Sequence, residues 1–137
     1  MRANFTQLYL HLVWATWDRL PLITPDIQKR IYGAIIQSCE QLACTVVVVG
    51  GIEDHVHFLV GIPPTLTVSD LIKNVKGSSS HRITHEAKPD TFFKWQGGYG
   101  AFTVSHENLE QVAKYVRNQA THHHQKPTIP TWALSPQ

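Results

Sequence analysis

Three observations predict an α+β fold: a ferredoxin-like, RRM-like antiparallel sheet with helices on one face and a further helix at the C-terminal end. The 137 residues suit one domain with a core of its own. Segments rich in β-branched and aromatic residues alternate with segments of helical periodicity. Their order is strand, helix, strand, strand, helix, strand, helix, and the first six make a split β-α-β sandwich.

Each element has a local reason. Gln7 to Thr16 (QLYLHLVWAT) is a strand by composition, and Asp18 to Pro21 form a turn. Thr24 followed by Pro25 and Asp26 starts a helix that runs to about Leu42, with Ile27, Ile31, Ala34, Ile35 and Leu42 inward. Thr45 to Ile52 (TVVVVGGI) lacks polar alternation, which predicts a central strand. Glu53 and Asp54 make a tight turn, and His55 to Ile62 returns as the second arm of a hairpin. Pro63 and Pro64 end that arm. A helix runs from about Val68 into the 80s, until Pro89 and Asp90 break it. After Gly97, Gly98 and Gly100 a strand continues through about Val104. Ser105 is placed to cap a last helix, which runs to about Thr121 or a little beyond. The other helices cover one sheet face and leave the opposite face open for a site or a partner. These elements lie within residues 1–124, and the tail 125–137, with Pro127, Pro130 and Pro136, reads as extended or disordered.

Composition narrows the function. Apolar residues are 42% and charged residues 16%, as in globular chains rather than disordered ones. Twelve Lys and Arg against 10 Asp and Glu permit nucleic-acid binding without demanding it. Met1 to Gln7 lacks a signal-peptide layout, and no apolar run reaches membrane-spanning length. Cys39 and Cys44 form neither a redox pair nor half a zinc site, and read as buried free thiols. The expectation is a soluble cytoplasmic protein without membrane contact.

The chemistry concentrates in three places. In a strand, His55 and His57 project to one face with Leu59, while Val56, Phe58 and Val60 face the other way. Two imidazoles at that spacing can share a metal ion, and on spacing alone two solvent-exposed edge-strand histidines remain an equal reading. On the last helix Asn108, Gln111, Tyr115, Gln119 and His122 form a polar stripe beside Leu109, Val112, Ala113, Val116 and Ala120. Tyr115 therefore sits on the polar side, either as a reactive phenol or as a tyrosine at the core rim. The segment from Leu71 to Arg82 carries Lys73, Lys76, Ser78, Ser79 and Arg82, residue types that contact phosphates or form a solvated helix face. Lys94, Trp95 and Tyr99 add a basic and aromatic patch that could stack on unpaired bases or belong to the core. His81 and His85 have metal-binding helical spacing but no evident third ligand, so they read as surface histidines. The run His122, His123 and His124 reads as cationic residues at a helix end.

The combination is more specific than its parts. His11-Leu12-Val13-Trp14-Ala15-Thr16 opens the chain, and His55-Val56-His57 follows a buried strand and an acidic turn. Leu71-Ile72-x-x-Val75-Lys76-Gly77-Ser78-Ser79 comes next, then Trp95-x-x-Gly98-Tyr99-x-x-Phe102-x-Val104-Ser105, then Tyr115-x-x-x-Gln119-x-x-His122-His123. Over roughly residues 7–124 this resembles the single-tyrosine HUH transposases of bacterial insertion sequences, including their REP-associated relatives.

The resemblance implies that residues 1–124 are a catalytic domain that cuts and rejoins single-stranded DNA through a 5′-phosphotyrosine. It makes Tyr115 the nucleophile and His55, His57 and Gln119 the ligands of Mg²⁺ or Mn²⁺. By residue type, Lys73, Lys76, Ser78, Ser79, Arg82, Lys94 and Arg117 are the candidate DNA contacts. The resemblance further implies hairpin recognition near element ends and a homodimer, in which the tyrosine helix of one subunit can complete the site of the other. The residue types suit that chemistry: a phenol ionises only near about pH 10, so its attack on phosphate gains from a Lewis acid. The competing reading is a non-catalytic nucleic-acid-binding module, and a metal-binding dimer of other function is a third. An open sheet face bearing histidines instead of paired aromatics disfavours the module.

Overall fold

The computed structural model describes residues 3–119. Strand β1 is Tyr9–Ala15, helix α1 Pro25–Gln41, strand β2 Thr45–Ile52 and strand β3 His55–Gly61. Helix α2 is Val68–His81 and runs into a π-helical turn, Arg82–Ala87; strand β4 is Gly100–Val104 and helix α3 Leu109–Arg117. The four strands form one antiparallel sheet in the order β2-β3-β1-β4, which is the predicted ferredoxin-like topology.

Thr24 caps α1 as its sequence predicts, its side chain accepting from the Ile27 N–H while Pro25 opens the first turn. Thr67 caps α2 in the same way through the Asp70 N–H. Ile27, Ile31, Ile35 and Cys39 of α1 and Leu71, Ile72 and Val75 of α2 pack on Leu10, Leu12, Trp14, Val56, Phe58 and Val60 of the sheet. Alternation thus sends Val56, Phe58 and Val60 to the core and leaves His55, His57 and Leu59 on the opposite face. Leu42 is only partly buried against this core. Cys39 is buried and Cys44 partly so, both as free thiols.

Two expectations are corrected. Strand β2 is an edge strand, not a central one. Its continuous apolar run has another cause: α1 touches one of its faces and α3 the other. The face that α1 and α2 leave uncovered receives α3 over β2 and β3, so it carries the site as expected. Ser105 caps no α-helix by its side chain; it precedes a single 3-10 turn, His106–Asn108. Helix α3 reaches Arg117 with Asn118 at its C-cap at φ −99°, ψ 23°, and the predicted end near Thr121 lies outside the described residues. The run His122 to His124 and the tail from residue 125 lie outside the described residues.

Two glycines allow the site to assemble. A Cβ on Gly50 would lie 2.3 Å from the Val116 carbonyl oxygen, so α3 can rest on β2 only where there is no side chain. Gly51 has φ +150°, and a Cβ there would lie 2.3 Å from the His55 carbonyl oxygen. The hairpin between β2 and β3 therefore needs glycine at this position.

Candidate active site

His55 and His57 stand on a central strand and are each 1% exposed, which removes the reading of two exposed edge histidines. Their rings are 4.9 Å apart, centroid to centroid. Each has its Nδ1 engaged by the protein: His55 Nδ1 lies 2.9 Å from Asp54 Oδ1, and His57 Nδ1 lies 2.8 Å from His11 Nε2. Both Nε2 atoms are buried without a hydrogen-bond partner. Buried polar atoms are nearly always partnered, so two adjacent orphans on neighbouring imidazoles are the arrangement a divalent cation would satisfy.

The second ring nitrogens match that purpose. An ionised Asp54 can only accept, so a neutral His55 carries its proton on Nδ1 and presents the Nε2 lone pair. Burial by itself would raise the Asp54 carboxyl. The hydrogen bond from His55 and the charge of Arg19 outweigh it and hold the carboxyl below the usual range. His11 is pushed down to about 4 by burial, and His57 is pushed down by burial and then by the neighbouring imidazoles His55 and His11. Both rings are thereby kept neutral, the form in which an imidazole can coordinate or accept.

Helix α3 brings the phenol to this pair within one chain. Gly50, which lies opposite His57 in the β2–β3 register, seats the backbone of Val116. The adjacent Tyr115 ring stands edge-on to His57, with centroids 5.7 Å apart, and edge-on to His11 at 6.1 Å. Tyr115 is half-buried. Gln119, one turn on, is 1% exposed, and its side-chain N–H donates to the Tyr115 carbonyl at 3.2 Å. The lower end of the predicted polar stripe thus turns inward over the sheet. Among the described residues no group of three or more His, Cys, Asp or Glu is placed to hold a metal.

Residues 4–119 match the family model described as "Transposase IS200 like". The chain belongs to the IS200-like transposase family. It is 27% identical over 124 residues to the ISDra2 transposase TnpA of Deinococcus radiodurans, covering 86% of this chain and 88% of that one. It is 30% identical over 116 residues to the transposase of insertion sequence IS200 from Salmonella typhimurium, covering 80% and 74%. Among solved structures, a transposase-family protein from Deinococcus radiodurans superposes with a TM-score of 0.67 at 27% identity, covering 87% of this chain and 95% of that one. A REP-associated tyrosine transposase bound to a REP hairpin shares the fold, with a TM-score of 0.68 at 12% identity over 90% and 73%. No helix among the described residues of this family member is long and apolar enough to cross a membrane.

The remaining predicted residues of this IS200-like chain are not gathered at the histidines. Helix α2 packs with α1 on the other sheet face. Ser79 is wholly buried there, donating to the Val75 carbonyl at 2.7 Å and accepting from Trp95 Nε1 at 3.1 Å. Trp95 is accordingly core, not a stacking platform. Ser78 meets Ser38 of α1 at 2.7 Å, and Arg82 donates to Gln37 of α1. Lys76 donates to the Gln96 and Gly98 carbonyls at 2.8 and 3.1 Å, and so holds the loop before β4. Lys73 is exposed on α2, and Lys94 is exposed with its ammonium 4.0 Å from the centre of the Trp17 ring. Arg117 pairs loosely with Glu110 on α3 at 3.4 Å. His81 and His85 stack on the surface with ring centroids 4.3 Å apart, as expected of surface histidines.

Sequence reasoning missed His11 and Asp54 as parts of the site. The signal for His11 was available: β1 pairs with β3 so that Val13 opposes His57 and His11 opposes Leu59, which puts His11 diagonally beside His57 on the same face. Nothing in the residue string marked Asp54 as more than a turn residue.

Proposed function

We propose that this IS200-like transposase cleaves and rejoins single-stranded DNA at insertion-element ends through Tyr115. The observation that carries the reading is the pair of partnerless Nε2 atoms of His55 and His57 beside the Tyr115 ring. His55 and His57 would hold Mg²⁺ or Mn²⁺ through Nε2, and Gln119 would complete the set through Oε1. The ion, when bound, polarises the scissile phosphate and stabilises the charge that develops on its oxygens.

The chain's own groups do the rest. Asp54 and His11 hold the two imidazoles by their Nδ1 atoms and leave both Nε2 atoms for the ion. The Tyr115 oxygen attacks phosphorus, its proton leaves to solvent, and a bond forms between the phenol oxygen and the 5′-phosphate. The bond to the 3′ oxygen breaks, and that oxygen takes a proton from solvent and leaves as a 3′-hydroxyl. Attack by the 3′-hydroxyl of another strand reverses these steps and frees the tyrosine without an external energy source. Hydrolysis would need no tyrosine. Lys73, Lys94 and Arg117 are the exposed cations of the predicted DNA set and would meet phosphates; Lys76, Ser78, Ser79 and Arg82 contribute by shaping the domain. The partner would be single-stranded DNA with hairpins, as in the REP-bound relative of the same fold, and the working unit a homodimer, as the resemblance implies.

A denaturing gel with a labelled single-stranded hairpin and Mn²⁺ tests this. The wild-type chain should form a covalent adduct that chelator prevents. Tyr115→Phe should form none while still shifting the hairpin on a native gel. An adduct formed by the Phe variant, or by the wild type in chelator, overturns the corresponding role.

A further inference from the structure

We propose that Arg19 is a positioning residue for His55, acting through Asp54 on the carboxylate side away from the imidazole. The proposal rests on the metal reading given above. Asp54 Oδ1 meets His55 Nδ1 at 2.9 Å. Its Oδ2 receives two hydrogen bonds from one guanidinium, from Arg19 Nε at 3.2 Å and Nη2 at 2.8 Å. The carboxylate is thus clamped by a planar fork, and the oxygen left over has one orientation in which to hold the imidazole. Both side chains of the ion pair are largely buried, at 22% and 16% exposure, so solvent does not dissolve the clamp.

The fold accepts two costs to hold Arg19 there. Asp18 and Arg19 are consecutive non-glycine residues in left-handed geometry, with φ of 53° and 54°. Arg19 Nη1 is buried without a partner. Both fall in the short turn from which Arg19 reaches Asp54. The scaffold around the pair is braced to match: the Thr16 N–H donates to the Asp54 carbonyl at 2.9 Å, the Ile23 N–H donates to the Glu53 carbonyl at 2.9 Å, and the Thr16 hydroxyl donates to the Leu20 carbonyl at 2.6 Å. The turn that follows β1 and the turn that precedes β3 are therefore locked together, and the last link of that lock is a ring whose outward nitrogen has no partner.

Two readouts on the metal-free and metal-titrated protein test the role. Histidine ¹H–¹⁵N correlation spectra report which ring nitrogen of His55 carries the proton, and calorimetric titration with Mn²⁺ reports affinity. The wild type should show His55 protonated on Nδ1. Arg19→Gln should shift His55 toward a mixture of tautomers and weaken Mn²⁺ binding by about 10-fold or more. Arg19→Lys, which keeps the charge but not the fork, should recover only part of the affinity. Asp54→Ala should reproduce or exceed the Arg19→Gln effect. Ser79→Ala, a core change on the other sheet face, serves as the control for general destabilisation and should leave both readouts at wild-type values. A wild type that binds no Mn²⁺ sinks the metal reading. A wild type that binds Mn²⁺, together with an Arg19→Gln variant unchanged in tautomer and affinity, sinks the Arg19 role alone.

Discussion

His11 Nε2 lies 2.8 Å from His57 Nδ1, joining the first strand to the candidate metal ligand on the third. For His57 to present the lone pair of Nε2, its proton must sit on Nδ1 and be given to His11. His11→Ala should therefore leave a buried N–H without an acceptor and weaken Mn²⁺ binding by about 10- to 100-fold. Calorimetric titration measures it, and wild-type affinity in the variant would show that the bond does not orient the ligand.

The seat of α3 depends on one missing side chain. Gly50→Ala would place a methyl group 2.3 Å from the Val116 carbonyl oxygen, closer than backbone can tolerate. The helix must shift, so stability should fall by about 1–3 kcal/mol. Adduct formation should fall with it, because Tyr115 moves relative to His57. Urea unfolding and the denaturing gel check the two effects. A variant as stable and active as wild type would mean that α3 reaches the histidines by another path.

The neutral histidines make stability depend on pH. His11 has its value lowered from 6.5 to about 4 by burial, and His57 is lowered in the same direction. The unfolded chain takes up protons first as the pH falls, so this stabilisation is fully present above about pH 6.5 and is lost as the pH drops from there toward 4. In chelator, the melting temperature should hold steady from about pH 8 to 7 and decline below about 6.5. A melting temperature that stays level down to about pH 5 would contradict neutral burial of these rings.

Ser79 separates a structural hydroxyl from a DNA contact. It accepts from the buried Trp95 indole at 3.1 Å. Ser79→Ala should cost about 1–3 kcal/mol in urea unfolding by orphaning that N–H. Hairpin affinity, measured well below the melting temperature, should not change. A selective loss of hairpin binding would return Ser79 to the DNA interface.

Much of this was legible before any fold was known. The caps at Thr24, the two-residue turn at Glu53 and Asp54, and the shared face of His55 and His57 are properties of a few adjacent residues, set by backbone periodicity and turn chemistry. Element order followed from the same local signals and was enough for the sheet topology. The edge position of β2 was not legible, because an apolar run records coverage of both faces and not who supplies it.

The sequence by itself determined which side chains share a strand face or a helix stripe, since those relations repeat every two or every 3.6 residues. Only the tertiary structure decided that Tyr115 meets His57 and His11, that Asp54 and Arg19 stand behind His55, and that Ser79 and Lys76 turn into the protein. Those contacts join residues distant in the chain. They depend on strand register and on a helix settling over Gly50, which are outcomes of packing the whole domain at once.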